Sequence, residues 1–219
     1  IARKAIARSV SDIGAMGGTP TCALATGALP DGFADADALF DRMASWARAF
    51  GCPLIGGDIA GTDGPMVLTC TGVGVCPGAR GPVLRSDARP GDVVCVTGRL
   101  GGSLESGRHL TFEPRVREAV ALSATLGERL GAMMDLSDGL GIDASRLGEA
   151  SGVRIEIDAA RIPRHEGVPD WRHAASDGED YELLFTVRDE DAVASLELPN
   201  ATPITIIGRA VAASGTGAG

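Results

Sequence analysis

The stretch Met133-Met134-Asp135-Leu136-Ser137-Asp138-Gly139-Leu140-Gly141-Ile142-Asp143 decides the reading of this chain. Two apolar residues, the end of a strand, run into an acidic glycine turn, and a helix starts behind it. Ligand sites often form at such junctions, because the first amides of a helix point outward without partners. Carboxylates beside glycine approach a ligand closely, and their hard oxygens suit Mg²⁺.

The same construction recurs along the chain. Ser11-Asp12 precedes Gly17-Gly18, Gly56-Gly57 precede Asp58, and Asp177-Gly178-Glu179-Asp180 forms another acidic turn. Each taken alone is ordinary turn or capping chemistry. Supplied together from distant parts of one chain, they point to a phosphate site assembled around several metal ions.

Outward from these turns, Ile6, Val10, Ile13 and Met16 recur at helical spacing from Ile1 to Met16, and Asp35 to Phe50 reads as a second helix. Met66–Val75 alternates as a strand. Pro77–Gly91, rich in proline, glycine and arginine, marks a boundary, with domains expected at 1–84 and 85–219. Beyond it the pattern predicts strands at Asp92–Thr97, Val153–Ile157, Tyr181–Val187 and Ile204–Val211. Helices are expected at Pro114–Leu130 and Asp138–Ala150, and an unstructured tail from Ala212 to Gly219. Strands and helices mixed in this way favour two α+β halves over a doubly wound sheet.

The composition narrows the function. The 219 residues are 44% hydrophobic and carry a net charge of −9, which suits a folded core and argues against non-specific nucleic-acid binding. No apolar run reaches the roughly 18–20 residues of a membrane-spanning helix, so no membrane partner is expected. Five scattered cysteines without a CxxC pair read as free thiols in a reducing cytoplasm. Arg108 and Arg115 read as solvated surface.

The segments SVSDIGAMGG (Ser9–Gly18), LIGGD (Leu54–Asp58), RPGDVVCVTGRLGGS (Arg89–Ser103), MMDLSDGLGID (Met133–Asp143) and DGEDYELLFTV (Asp177–Val187) resemble the thiamine-monophosphate kinases. That family belongs to the superfamily of aminoimidazole-ribotide synthetase and selenide, water dikinase. The resemblance implies a two-domain, aminoimidazole-ribotide-synthetase-like α+β fold with mixed sheets flanked by helices, and a homodimer built on the N-terminal domain. It implies phosphoryl transfer from ATP to thiamine phosphate on a site holding several Mg²⁺ ions. Residue by residue, it makes Asp12, Asp58, Asp135 and Asp138 metal ligands. Gly57, Asp58, Arg85 and Ser137 become ATP-contacting positions, and Glu179 the substrate-side acid. No general base is expected, since the acceptor phosphate is itself the nucleophile. Further segments with a Gly-Asp-Asp turn and a Thr-Asp pair are expected before Ile1. The alternatives are another ATP-using member of the superfamily, of the synthetase or dikinase type, and a non-catalytic nucleotide-binding relative.

Overall fold

The computed structural model describes residues 1–78 and 80–213. Helices α1 (Ala2–Ala15) and α2 (Ala36–Ala49) belong with strands β1 (Thr19–Pro30), β2 (Leu54–Thr62) and β3 (Val67–Val75). Strands β4 (Val93–Thr97), β5 (Leu130–Asp135), β6 (Val153–Ile157), β7 (Leu183–Val187) and β8 (Ile204–Ala212) follow, interspersed with α3 (Ser103–Ser106), α4 (Val116–Leu126), α5 (Leu140–Ser151), α6 (Trp171–Ser176) and α7 (Glu190–Ala194). The result is an α+β architecture with two separate sheets. The expected boundary at 84/85 lies in the segment between β3 and β4.

The first sheet has the order β2-β1-β3, with β1 parallel to β2 and antiparallel to β3. Helices α1 and α2 cover one face, burying Ile6, Val10, Met43 and Ala47 against Ala23 and Ala25. The second sheet, β5-β7-β4-β8-β6, is antiparallel throughout. It is covered on both faces, so its central strands are apolar on both sides. Val94 and Val96 of β4 face Leu140, Ala144 and Leu147 of α5. Val93 and Cys95 face the other way, toward Ala119, Leu122 and Leu126 of α4. Ala15, at the end of α1, packs into this second core and links the two halves.

Three boundaries differ from expectation. The helix expected at Pro114–Leu130 stops at Leu126, because Gly127 takes φ +51° and the apolar run beyond it pairs as β5. The strand expected from Tyr181 begins at Leu183, because Tyr181 has φ +53°. The helix expected from Asp138 begins at Leu140. Strands β1 and β2 were not anticipated. Of the expected tail, Ala212 ends β8, and 214–219 lie outside the described residues.

Phe185 is fully buried in the α4-side core. Replacing it with alanine removes a large side chain from a close-packed site, and Phe185→Ala is expected to lower stability by about 3–5 kcal/mol. Urea unfolding checks this: the midpoint should fall while the m-value stays unchanged.

Candidate active site

Antiparallel pairing of Asp135 with Leu183 sets the turn after β5 beside the turn before β7. Backbone hydrogen bonds lace them together. Glu179 N–H donates to Ser137 O at 2.9 Å, Tyr181 N–H to Leu136 O at 2.8 Å, and Leu136 N–H to Glu182 O at 2.8 Å. The approach is close enough to dictate glycine. A Cβ on Gly178 (φ +69°) would lie 3.1 Å from the Asp138 carbonyl carbon, and one on Gly139 (φ +108°) 3.0 Å from Ala175 O. Glu179 and Tyr181 also adopt positive φ, at +59° and +53°. Non-glycine residues in this region cost on the order of 1–3 kcal/mol each, and such residues cluster at ligand sites.

A third loop is held from the same turn. Asp180 accepts hydrogen bonds from Gly101 N–H (3.0 Å) and Ser103 Oγ (2.6 Å), and Asp177 accepts one from Gly102 N–H (2.8 Å). Burial outweighs these bonds and pushes the Asp180 carboxyl up to about 6.

Helix α1 closes the site from the other half. Ser11 Oγ donates to Asp135 Oδ2 at 2.5 Å, with both residues buried. Burial raises the Asp135 carboxyl to about 6; the Ser11 hydrogen bond opposes the rise and the neighbouring Asp12 charge adds to it. Asp12 is itself raised by burial, against the pull of Arg8 and Arg85. Two acids from opposite halves therefore share one neighbourhood with two arginines. Among the expected residues, Asp12, Asp135 and Arg85 come together here, with Glu179 one loop away.

The others sit differently. Asp138 pairs through its carboxylate with Arg146, while Ser137 and Asp138 both donate their amides to the fully buried Asp143, at 3.1 and 2.9 Å. Asp58 lies on β2 opposite Thr26, exposed, with Oδ1 accepting the Ile59 amide at 2.9 Å. Gly57 is forced by strand packing, because a Cβ there would overlap the Ala25 carbonyl. Among the described residues no three His, Cys, Asp or Glu side chains stand close enough to hold an ion by themselves. The Asp12–Asp135 pair fits Mg²⁺ in another way, since this ion usually takes one or two carboxylates and completes its shell with water and substrate phosphates. A cation there would also offset the burial of Asp135.

Several site residues escaped the sequence reading. Lys4 lies 2.8 Å from Glu179 Oε2, and Arg8 stands one turn further along α1. The spacing 4, 8, 11, 12 is a polar stripe on one helix face, a signal masked by the apolar stripe beside it. Arg115 is not solvated surface: its Nε and Nη2 donate to the two oxygens of buried Glu182 at 2.8 and 2.5 Å. Arg108 likewise donates to the Gly101 carbonyl.

The fold is that of the AIR-synthase-related class. The family described as AIR synthase related protein, N-terminal domain, matches residues 1–76. A thiamine-monophosphate kinase of Rhodopirellula baltica is 37% identical over 97% of this chain and 69% of its own length. One of Bacillus subtilis is 35% identical over 87% of this chain and 66% of its own. A solved structure of AaThiL complexed with AMPPCP and TMP superposes with a TM-score of 0.81 at 28% identity, covering 98% of this chain and 74% of that one. The chain belongs to the thiamine-monophosphate kinase family, and spans about two thirds of the length of these curated relatives.

The raised Asp180 carboxyl has a consequence for stability. The native state holds this proton more tightly than the unfolded chain, whose carboxyl titrates near the ordinary value of 3.8. Its contribution is therefore present in full below pH 4 and is lost as pH climbs toward 6. Asp180→Asn keeps an oxygen for the Gly101 amide and removes the titration. Urea midpoints between pH 4 and 6.5 should fall less with rising pH in this variant than in the parent protein.

Proposed function

We propose that this chain phosphorylates thiamine phosphate with ATP, giving thiamine diphosphate, in a site between α1 and the turns after β5 and before β7. The observation that carries this reading is the hydrogen-bonded contact of Ser11 with Asp135, which holds Asp12 beside Asp135 between Arg8 and Arg85. The relatives are named for this kinase activity, and a neighbouring structure binds AMPPCP and TMP.

The chemistry asks for this kind of site. The acceptor phosphate has a second pKa of about 6 and is mostly ionised at neutral pH, so it needs no base to become a nucleophile. The obstacle is bringing two polyanions into line, and catalysis consists of charge neutralisation and alignment. Asp12 and Asp135 are the first pair to hold Mg²⁺, with Asp58 and Asp138 as further ligands. Bound there, Mg²⁺ supplies charge neutralisation on the transferring phosphoryl group. Arg85 faces the nucleotide phosphates, Ser137 and Gly57 line the nucleotide, and Glu179 meets the acceptor. Five free cysteines suit a reducing cytoplasm, and among the described residues no helix is long and apolar enough to cross a membrane.

ATP binding, followed by calorimetry, should require Mg²⁺ and vanish in EDTA. Asp135→Asn should slow turnover by about 10²–10³ without lowering the thermal midpoint, because it replaces a poorly solvated acid by a neutral side chain. Free thiamine should not be phosphorylated. Equal ATP affinity with and without divalent metal would refute the metal site.

The same reading includes a homodimer. The face of the first sheet turned away from α1 and α2 carries Leu24, Val67, Val73 and Val75, about half exposed. An apolar sheet face left to solvent is an interaction surface. A second copy meeting it face to face would bury it. Light scattering should give twice the mass of one chain for the parent protein, and half that value for Val73→Glu.

A further inference from the structure

Helix α1 meets the second half of the protein at three levels along one face. Asp12 stands beside Asp135, Arg8 lies between, and Lys4 reaches Glu179. These positions are i, i+4 and i+8, one above the other on a helix. Lys4 is the only lysine of the 219 residues. Its ammonium lies 2.8 Å from Glu179 Oε2, and both side chains are largely withdrawn from water, at 20% and 28% exposure. That carboxylate oxygen is buried and, among the described residues, has the Lys4 ammonium as its charged partner, with the Tyr181 hydroxyl also near the carboxylate. The Glu179 backbone, at φ +59°, is held in its strained form by the hydrogen bond its N–H donates to Ser137 O.

We infer that Lys4 is a positioning residue for the acceptor: it fixes the Glu179 carboxylate, and so ties the substrate-side turn to the same helix that carries Asp12. This rests on the proposed function of the site. The pair is close to neutral, so Glu179 offers a cationic ring a directed oxygen and little net charge. Direction is what Lys4 provides. Without it the carboxylate is left buried and uncompensated, and turns toward water with its loop. An arginine at this position keeps the charge but spreads it over a planar fork, and restores the restraint in part.

Two measurements test this. Lys4 carries the only side-chain amine, so acetylation by an amine-specific reagent, read by mass spectrometry of the peptide containing it, reports the pair directly and needs no activity. The parent protein should be modified slowly and Glu179→Gln about tenfold faster, as expected for loss of a charge-assisted contact; equal rates overturn the inference. In steady-state kinetics, Lys4→Met should raise KM for thiamine phosphate about tenfold and leave KM for ATP unchanged, and Lys4→Arg should give an intermediate KM. A fall in thermal midpoint and kcat with neither KM altered would make Lys4 a purely structural tie and overturn the positioning role. If the parent protein fails to phosphorylate thiamine phosphate, the proposed function falls, while the acetylation rates still decide whether Lys4 restrains Glu179.

Discussion

Ser11 and Asp135 are 124 positions apart, yet Ser11 Oγ donates to Asp135 Oδ2 at 2.5 Å in a region closed to water. A lone carboxylate in such a place is costly, and a single hydroxyl does not compensate it. The carboxyl accordingly titrates near 6, with Asp12 pushing it further up. Packing alone would have favoured an apolar residue here. Helix α1 carries Asp12 and Arg8 up to Arg85, and the two arginines offset the Asp12 charge; under the proposed function a cation does the same for Asp135. Every other feature of the cleft depends on α1 being held at this height against β5.

What holds it there is largely apolar and aromatic. Gly14 lies against Val116 at the start of α4, where a Cβ would come within 3.2 Å of the valine backbone. At the other end of α1, Arg3 bonds Glu113 at 2.7 Å and lies over the rings of Trp46, Phe50 and Phe112. Phe112 in turn stacks on Tyr181, with ring centroids 3.7 Å apart. The guanidinium thus joins α2 to the loop before α4, and the stacked rings carry the restraint into the turn that bears Glu179. Cation–π contacts of this kind contribute about 0.5–2 kcal/mol each, enough in combination to set the angle of α1.

How much of this was legible in the sequence depends on where the information resides. Strands β3 and β6 announce themselves by β-branched residues in alternation, and β4 and β8 by short β-branched runs. Strand β1, Thr19–Pro30, does not: it is mostly alanine, threonine, glycine and proline, with two leucines and a cysteine, and is a strand because it pairs on both sides. Apolar residues recur on both sides of Gly127 in the run from Val116 to Asp135, so little but that glycine marks where a helix gives way to a strand buried on both faces. At the site, Asp12 and Asp135 could be found from their glycine-flanked motifs. Lys4, Arg8 and Asp143 could not, because their significance lies in partners that the fold supplies. Arg115 was misjudged for the same reason, since an arginine between Pro114 and Val116 reveals nothing about a carboxylate 67 positions away.

The acidic motifs become interpretable once each carboxylate is asked what it already holds. In the turn Asp177–Glu182, Asp177 and Asp180 are engaged by the amides of Gly102 and Gly101, and Glu182 by Arg115 and the Thr97 hydroxyl at 2.6 Å. These three build the turn. Glu179 is different: its buried oxygen meets only the Lys4 ammonium, 2.8 Å away. In the turn after β5, Asp143 is engaged by two amides and Arg146, and Asp138 by Arg146. Asp135 keeps a single serine. A carboxylate with several donors, as Asp143 and Glu182 have, keeps little affinity for a ligand, whereas Asp138 is held by one exposed arginine that a cation can displace. A carboxylate that is buried and under-satisfied is destabilised until a cation or a donor arrives. The proposed function accordingly gives the metal to Asp135, beside Asp12, and the acceptor to Glu179, beside Lys4.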